Sequence, residues 1–118
     1  MNQLVTYNSL VGFELEKVRV SKGIDQEELA LKCGMSQPVL SRLEKGKAAI
    51  NIDQLFLICG ALEVPVNTLI NTVVTAVESI REEESVDVKT TKQAGNGAAL
   101  LTGAAIGAVL GVLLSRKK

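Results

Sequence analysis

Two helix-start signals, each followed by a glycine, lie between Asp25 and Gly46 and constrain this chain more than any other stretch. Asp25 suits a helix N-cap, with Glu28 as its capping-box partner, and Leu29 and Ala30 then face inward. Gly34 supplies a tight turn. Ser36 caps a second helix, whose buried side is Val39 or Leu40 together with Leu43 at helical spacing, and Gly46 stops it. The pattern is a helix-turn-helix.

Further motifs flank it in order. Leu15-Glu-Lys-Val-Arg19 with Ser-Lys-Gly23 stands upstream, Gln26-Glu-Glu-Leu-Ala30 opens the motif and Leu40-Ser-Arg-Leu-Glu-Lys-Gly46 ends it. Leu55 to Leu62, then Val64-Pro-Val-Asn-Thr-Leu-Ile70, follow downstream. From about Leu10 to Ile70 the chain resembles the Cro and phage-repressor (xenobiotic-response-element type) helix-turn-helix family. The resemblance implies an all-α domain of five helices and a sequence-specific DNA-binding transcriptional regulator of repressor type.

Composition suits a small first domain with a different segment behind it. The chain has 118 residues, 47% hydrophobic and 3% aromatic, with 13 basic against 13 acidic groups and no His or Trp. Met1 to Thr72 carries seven Lys or Arg against eight Asp or Glu, so the domain lacks the basic excess that drives phosphate affinity in many DNA binders. Locally placed residues or dimerisation must then supply more of the binding. Cys33 and Cys59 form no CxxC pair and read as two reduced thiols acting as small hydrophobes. No metal cluster, cofactor motif, phosphate loop or nucleophile–base pair is visible, which argues against an enzyme. The N-terminus lacks a secretory signal, so the DNA-binding domain is expected in the cytoplasm.

In a helix-turn-helix the early exposed residues of the second helix meet base edges in the major groove. Here these are Gln37, Pro38, Ser41 and Arg42. Gln bonds bidentately to adenine and Arg to guanine, so Gln37 and Arg42 are the expected readers. Pro38 has no N–H to donate and fits only the first helical turn, leaving a thymine methyl as its contact. By resemblance, Gln26, Ser36, Lys45 and Lys47 hold phosphates. The resemblance also implies that Arg19 and Glu44 form a partly buried ion pair joining the first helix to the recognition helix.

Past Pro65, Val66, Ile70, Val73, Val77 and Ile80 recur at spacings of four, three, four and three, a heptad seam suited to a dimer or higher homo-oligomer. The alternative, that this face covers the domain's own core, is equally open near its N-terminal end. Residues 85–96 are polar and aperiodic, as in a linker. An uncharged run from Ala94 to Ser115 follows and would reach roughly 33 Å as a helix, enough for a bilayer core. Within it Ala99, Gly103, Gly107 and Gly111 repeat every fourth residue, a glycine zipper on which another helix could pack closely. The expected organisation is a DNA-binding domain over 1–84, a linker over 85–96 and a hydrophobic helix over 97–118. That helix is read as a self-associating membrane anchor on the inner face of the membrane, or as the core of a soluble assembly. Double-stranded DNA and the chain itself are the expected partners, with a membrane as a third. Alternative functions are a DNA–membrane attachment adaptor for a plasmid or prophage, or an assembly or pore-associated protein that keeps the motif as an interaction module.

Overall fold

Side-chain caps set where the helices begin. The computed structural model describes residues 3–83, 85–95 and 100–116. Strand β1 (Gln3–Thr6) runs directly into helix α1 (Tyr7–Ser21), where Thr6 and Ser9 exchange hydrogen bonds as a capping box. Asp25 accepts from the Glu28 amide at 2.7 Å and starts α2 (Gln26–Lys32); Ser36 accepts from the Val39 amide at 3.3 Å and starts α3 (Gln37–Glu44). Glu28 does not return the bond to Asp25 as expected; its carboxylate lies 3.7 Å from Lys32 instead. Asn51 and Gln54 form the box that opens α4 (Ile52–Leu62), and α5 (Val66–Arg81) follows Pro65. The five expected helices are present in order.

Leu15, Leu29, Leu40, Leu43, Ile58 and Leu62 form the heart of one buried cluster that unites α1 to α4. Two contacts fix α3 against α1. At Gly12 any Cβ would overlap the carbonyl oxygens of Leu43 and Glu44, so the two helix backbones touch directly. Beside it, Arg19 donates from Nε to Glu44 Oε2 at 2.8 Å and from a terminal nitrogen to Oε1 at 3.1 Å, and also to the Ile24 carbonyl at 2.8 Å. The Glu44 side chain is 1% exposed and the Arg19 side chain 10%, and the hydrogen bond to Glu44 raises the Arg19 pKa above its ordinary value. The implied ion pair is therefore formed, bidentate and buried.

A second cluster departs from the expected organisation. The stretch 85–96 contains strand β2 (Val86–Lys89) and a short helix α6 (Thr91–Ala94). β2 pairs in parallel with β1, Gln3 opposite Val86 through Thr6 opposite Lys89, so the whole helical domain is the crossover between the two strands. Four-residue strands with only two apolar positions each give too short an alternation to read. The chain then returns past β1, where Leu101 donates to the Leu4 carbonyl at 2.8 Å, into α7 (Gly103–Arg116).

Ile106, Leu110 and Leu113 of α7 join Val5, Leu10, Val73, Ile80 and Val86 in this second cluster. The heptad seam is thus covered by the chain itself. Val66 and Ile70 pack on the first cluster, Val77 packs on the second, and Ile80 is fully buried in it. A seam and a core face share one periodicity, and here the two termini supply the covering layer.

The C-terminal helix also differs from expectation. It starts at Gly103 and its 14 residues span about 21 Å, short of a bilayer core of about 30 Å. Among the described residues no single helix is long and apolar enough to cross a membrane. No helix packs tightly on the zipper row: a Cβ on Gly103 or Gly111 would meet open space, and one on Gly107 would only touch the Phe13 ring at 3.5 Å. Ala99 and the start of the expected helix at 97 lie outside the described residues.

Two outcomes follow from this packing. Ile80→Ala should lower stability, read as a urea midpoint, by about 2 to 5 kcal/mol while leaving the oligomeric state seen by sedimentation unchanged; a shift toward monomer would return this face to an oligomer seam. Glu44→Leu leaves the Arg19 guanidinium buried without its partner and should cost about 3 to 5 kcal/mol in the same assay, a large share of a small domain's stability.

Candidate nucleic-acid interface

The turn between α2 and α3 depends on Gly34, whose φ of 67° lies in the left-handed region that side chains rarely adopt. The turn aims α3 outward while Leu40, Leu43 and Glu44 anchor it. At 3.6 residues per turn, Gln37, Ser41, Lys45, Pro38 and Arg42 fall on one continuous arc opposite those anchors. Pro38, Arg42 and Lys45 are exposed, and Gln37 and Ser41 are half-buried. All four expected base readers therefore share one surface of one helix.

Pro38 occupies the first turn of α3, where no intrahelical donor is required. Arg42 lies in the last turn, where a cation also complements the helix dipole. Ser36 gives its oxygen to the Val39 amide and keeps its hydroxyl proton for an outside acceptor. Lys45 and Lys47, just beyond the helix, are exposed, as phosphate contacts need to be.

Gln26 has a task that the sequence reading missed. Its Oε1 accepts from Gln37 Nε2 at 2.7 Å, and its own Nε2 donates to Glu44 Oε1 at 2.8 Å. The result is a continuous relay, Gln37 to Gln26 to Glu44 to Arg19, which runs from the outer arc of α3 into the buried pair. Gln37 is thereby oriented before any ligand arrives and still has its own Oε1 and a second N–H to offer. A signal was present: both glutamines directly follow an N-cap, Asp25 and Ser36, and so stand at matching first positions of adjacent helices.

Asn8 is a second residue that was not foreseen. It accepts from the Ile50 amide at 3.0 Å and donates to Thr91 Oγ1 at 2.7 Å, tying the loop after α3 to the returning C-terminal segment. Cys33 and Cys59 are buried, and burial pushes both thiols up, which keeps them protonated at neutral pH. The Cys33 thiol donates weakly to the Leu57 carbonyl at 3.7 Å, a packing role.

A family profile described as helix-turn-helix matches residues 15–69. An uncharacterized HTH-type transcriptional regulator of Sinorhizobium fredii, y4dJ, is 38% identical over 55 residues, which cover 47% of this chain and 71% of that protein. Among solved structures, the clp gene regulator ClgR from Corynebacterium glutamicum superposes with a TM-score of 0.59 at 27% identity, over 64% of this chain and 83% of that one. The wild-type restriction-modification controller protein C.Esp1396I gives a TM-score of 0.57 at 29% identity, over 61% of this chain and 94% of its own. With the motif geometry, the matched profile and the extent of the regulator match in agreement, this chain belongs to the helix-turn-helix family of DNA-binding transcriptional regulators.

Proposed function

We propose that the protein is a sequence-specific operator-binding repressor that reads the major groove with the outer arc of α3. The observation that carries this reading is the preset side chain of Gln37, held by Gln26 on the same arc as Arg42. An amide oriented in advance loses less entropy on binding adenine, and a bidentate pair of this kind supplies about 1 to 3 kcal/mol of discrimination. Arg42 reads guanine beside it, Pro38 packs on a thymine methyl, and Lys45, Lys47 and Ser36 hold phosphates. Occupation of a promoter by the bound protein then excludes transcription.

The pairing of two recognition helices falls to a surface other than the α5 seam. Ile52 and Phe56 lie one turn apart on α4, 68% and 59% exposed, with Leu57 beside them at 52%. An exposed apolar row of this kind suits a second copy of the same chain. A two-fold dimer formed there delivers two α3 helices to half-sites about one helical turn apart. Ile106, Leu110 and Leu113 of the C-terminal helix are buried within the fold, which supports reading that helix as part of the regulator's own core.

Selection of wild-type protein on a random duplex pool should enrich a two-fold symmetric motif. Against that motif at fixed salt, Arg42→Ala and Gln37→Ala should each lose about 1 to 3 kcal/mol and relax specificity at single positions. Lys45→Ala should weaken all sequences alike and lower the salt slope by about 1. Enrichment of no motif, or undiminished wild-type affinity in both α3 variants, would exclude the reading. Phe56→Asp should shift sedimentation from dimer to monomer; an unchanged dimer would place the contact elsewhere.

A further inference from the structure

Where α7 lies along α1 and α5, its glycines leave space. A cavity of about 470 Å³ is bounded by Phe13, Glu14 and Lys17 of α1, Thr72 and Thr75 of α5, and Gly107 of α7. A second pocket of about 400 Å³ shares Phe13 and Lys17 with it and reaches Gly103. These sizes match those of small-molecule sites. We propose that this cavity binds an amphipathic organic cation, an apolar body carrying an ammonium group.

The chemistry of the wall selects that class. Glu14 is 3% exposed, and a buried carboxylate requires a cation or strong donors. Its partner is Lys17, with Nζ 3.1 Å from Oε2 and 3.3 Å from Oε1, yet the Lys17 side chain is 59% exposed. The same ammonium stands 5.6 Å from the centre of the Phe13 ring, within cation–π range. Lys17 thus marks a cation position between a carboxylate and an aromatic face, and a flexible, largely hydrated side chain can swing away from it. Thr72 and Thr75 donate into their own helix, to the Thr68 and Asn71 carbonyls at 3.1 Å each, so only acceptor lone pairs remain toward the cavity. An anionic amphiphile would face Glu14 at close range; an ammonium finds an acid, a ring and hydroxyl acceptors.

The glycine row acquires a purpose in this arrangement. Each glycine costs a helix about 1 kcal/mol relative to alanine, and Gly107 and Gly111 border the first pocket while Gly103 borders the second. A Cβ on Gly107 already reaches the Phe13 ring at 3.5 Å, so a longer side chain there would occupy the ligand's volume.

Calorimetric titration of the full-length protein with decylammonium, decanol and decanoate, each below its micelle concentration at pH 7, tests the proposal. Decylammonium should bind saturably and at least about tenfold more tightly than the other two. Glu14→Gln should abolish that preference, Gly107→Leu should abolish binding without lowering the Tm, and Lys17→Met should tighten decylammonium several-fold by removing the internal competitor. Equal or better binding of decanol or decanoate, no saturable heat from any of the three, or undiminished binding to Gly107→Leu would overturn it. Because the ranking of the three ligands on the wild-type protein needs no substitution, the proposal remains testable even if Glu14→Gln or Lys17→Met does not fold.

Discussion

A guanidinium cannot be buried alone, and the position of the recognition helix follows from how Arg19 is satisfied. Both carboxylate oxygens of Glu44 are bound by Arg19, and the remaining capacity of one of them is taken by Gln26. Glu44 ends α3, Gln26 begins α2 and Arg19 lies near the end of α1, so one polar cluster joins three helices at the edge of the apolar core. Leu side chains alone would hold these helices together with less angular precision, because hydrophobic contact is non-directional while a bidentate pair has fixed geometry. The direct backbone contact at Gly12 then sets the distance that the ion pair orients. Burial and proximity to Glu44 also push the Glu16 carboxyl up, a local cost of gathering acids around one arginine.

The second cluster addresses a different problem. A five-helix domain of this length is small, and α5 projects an apolar face beyond the first core. Here the chain termini supply the missing layer: β1 from one end, β2 and α7 from the other. Pairing β1 with β2 satisfies backbone groups that would otherwise need water, and it places Val5 and Val86 beside Ile80 in the buried cluster. Helix α1 belongs to both clusters, carrying Leu15 into one and Leu10 into the other. Helix α3 and the cavity beside α7 therefore both rest against α1.

The helix-turn-helix was legible because each of its signals is local: caps at Asp25 and Ser36, a glycine turn, and apolar residues at helical spacing. The outer arc of α3 follows from the same periodicity, which explains why Gln37, Pro38, Ser41 and Arg42 appear together on one surface. What the sequence concealed is nonlocal. The relay through Gln26 needs the angle between two helices, and the β1–β2 pair joins residues more than eighty positions apart. The seam was ambiguous for a physical reason, since Val73, Val77 and Ile80 would show the same spacing whether they meet a second chain or α7. The small-residue row is ambiguous in the same way: residues of this kind every fourth position make a groove, and within the single chain the groove at Gly107 and Gly111 borders a cavity.

The outer arc of α3 is the surface proposed to enter the major groove. Amide chemical-shift mapping of the isotopically labelled full-length protein, on titration with its selected duplex, tests it most directly. The largest shifts should cluster at the amides of Ser36, Gln37, Val39 to Arg42, Lys45 and Lys47, with a weaker response at Gln26 through its hydrogen bond to Gln37. Shifts centred on α4 or α7, with α3 unmoved, would contradict it.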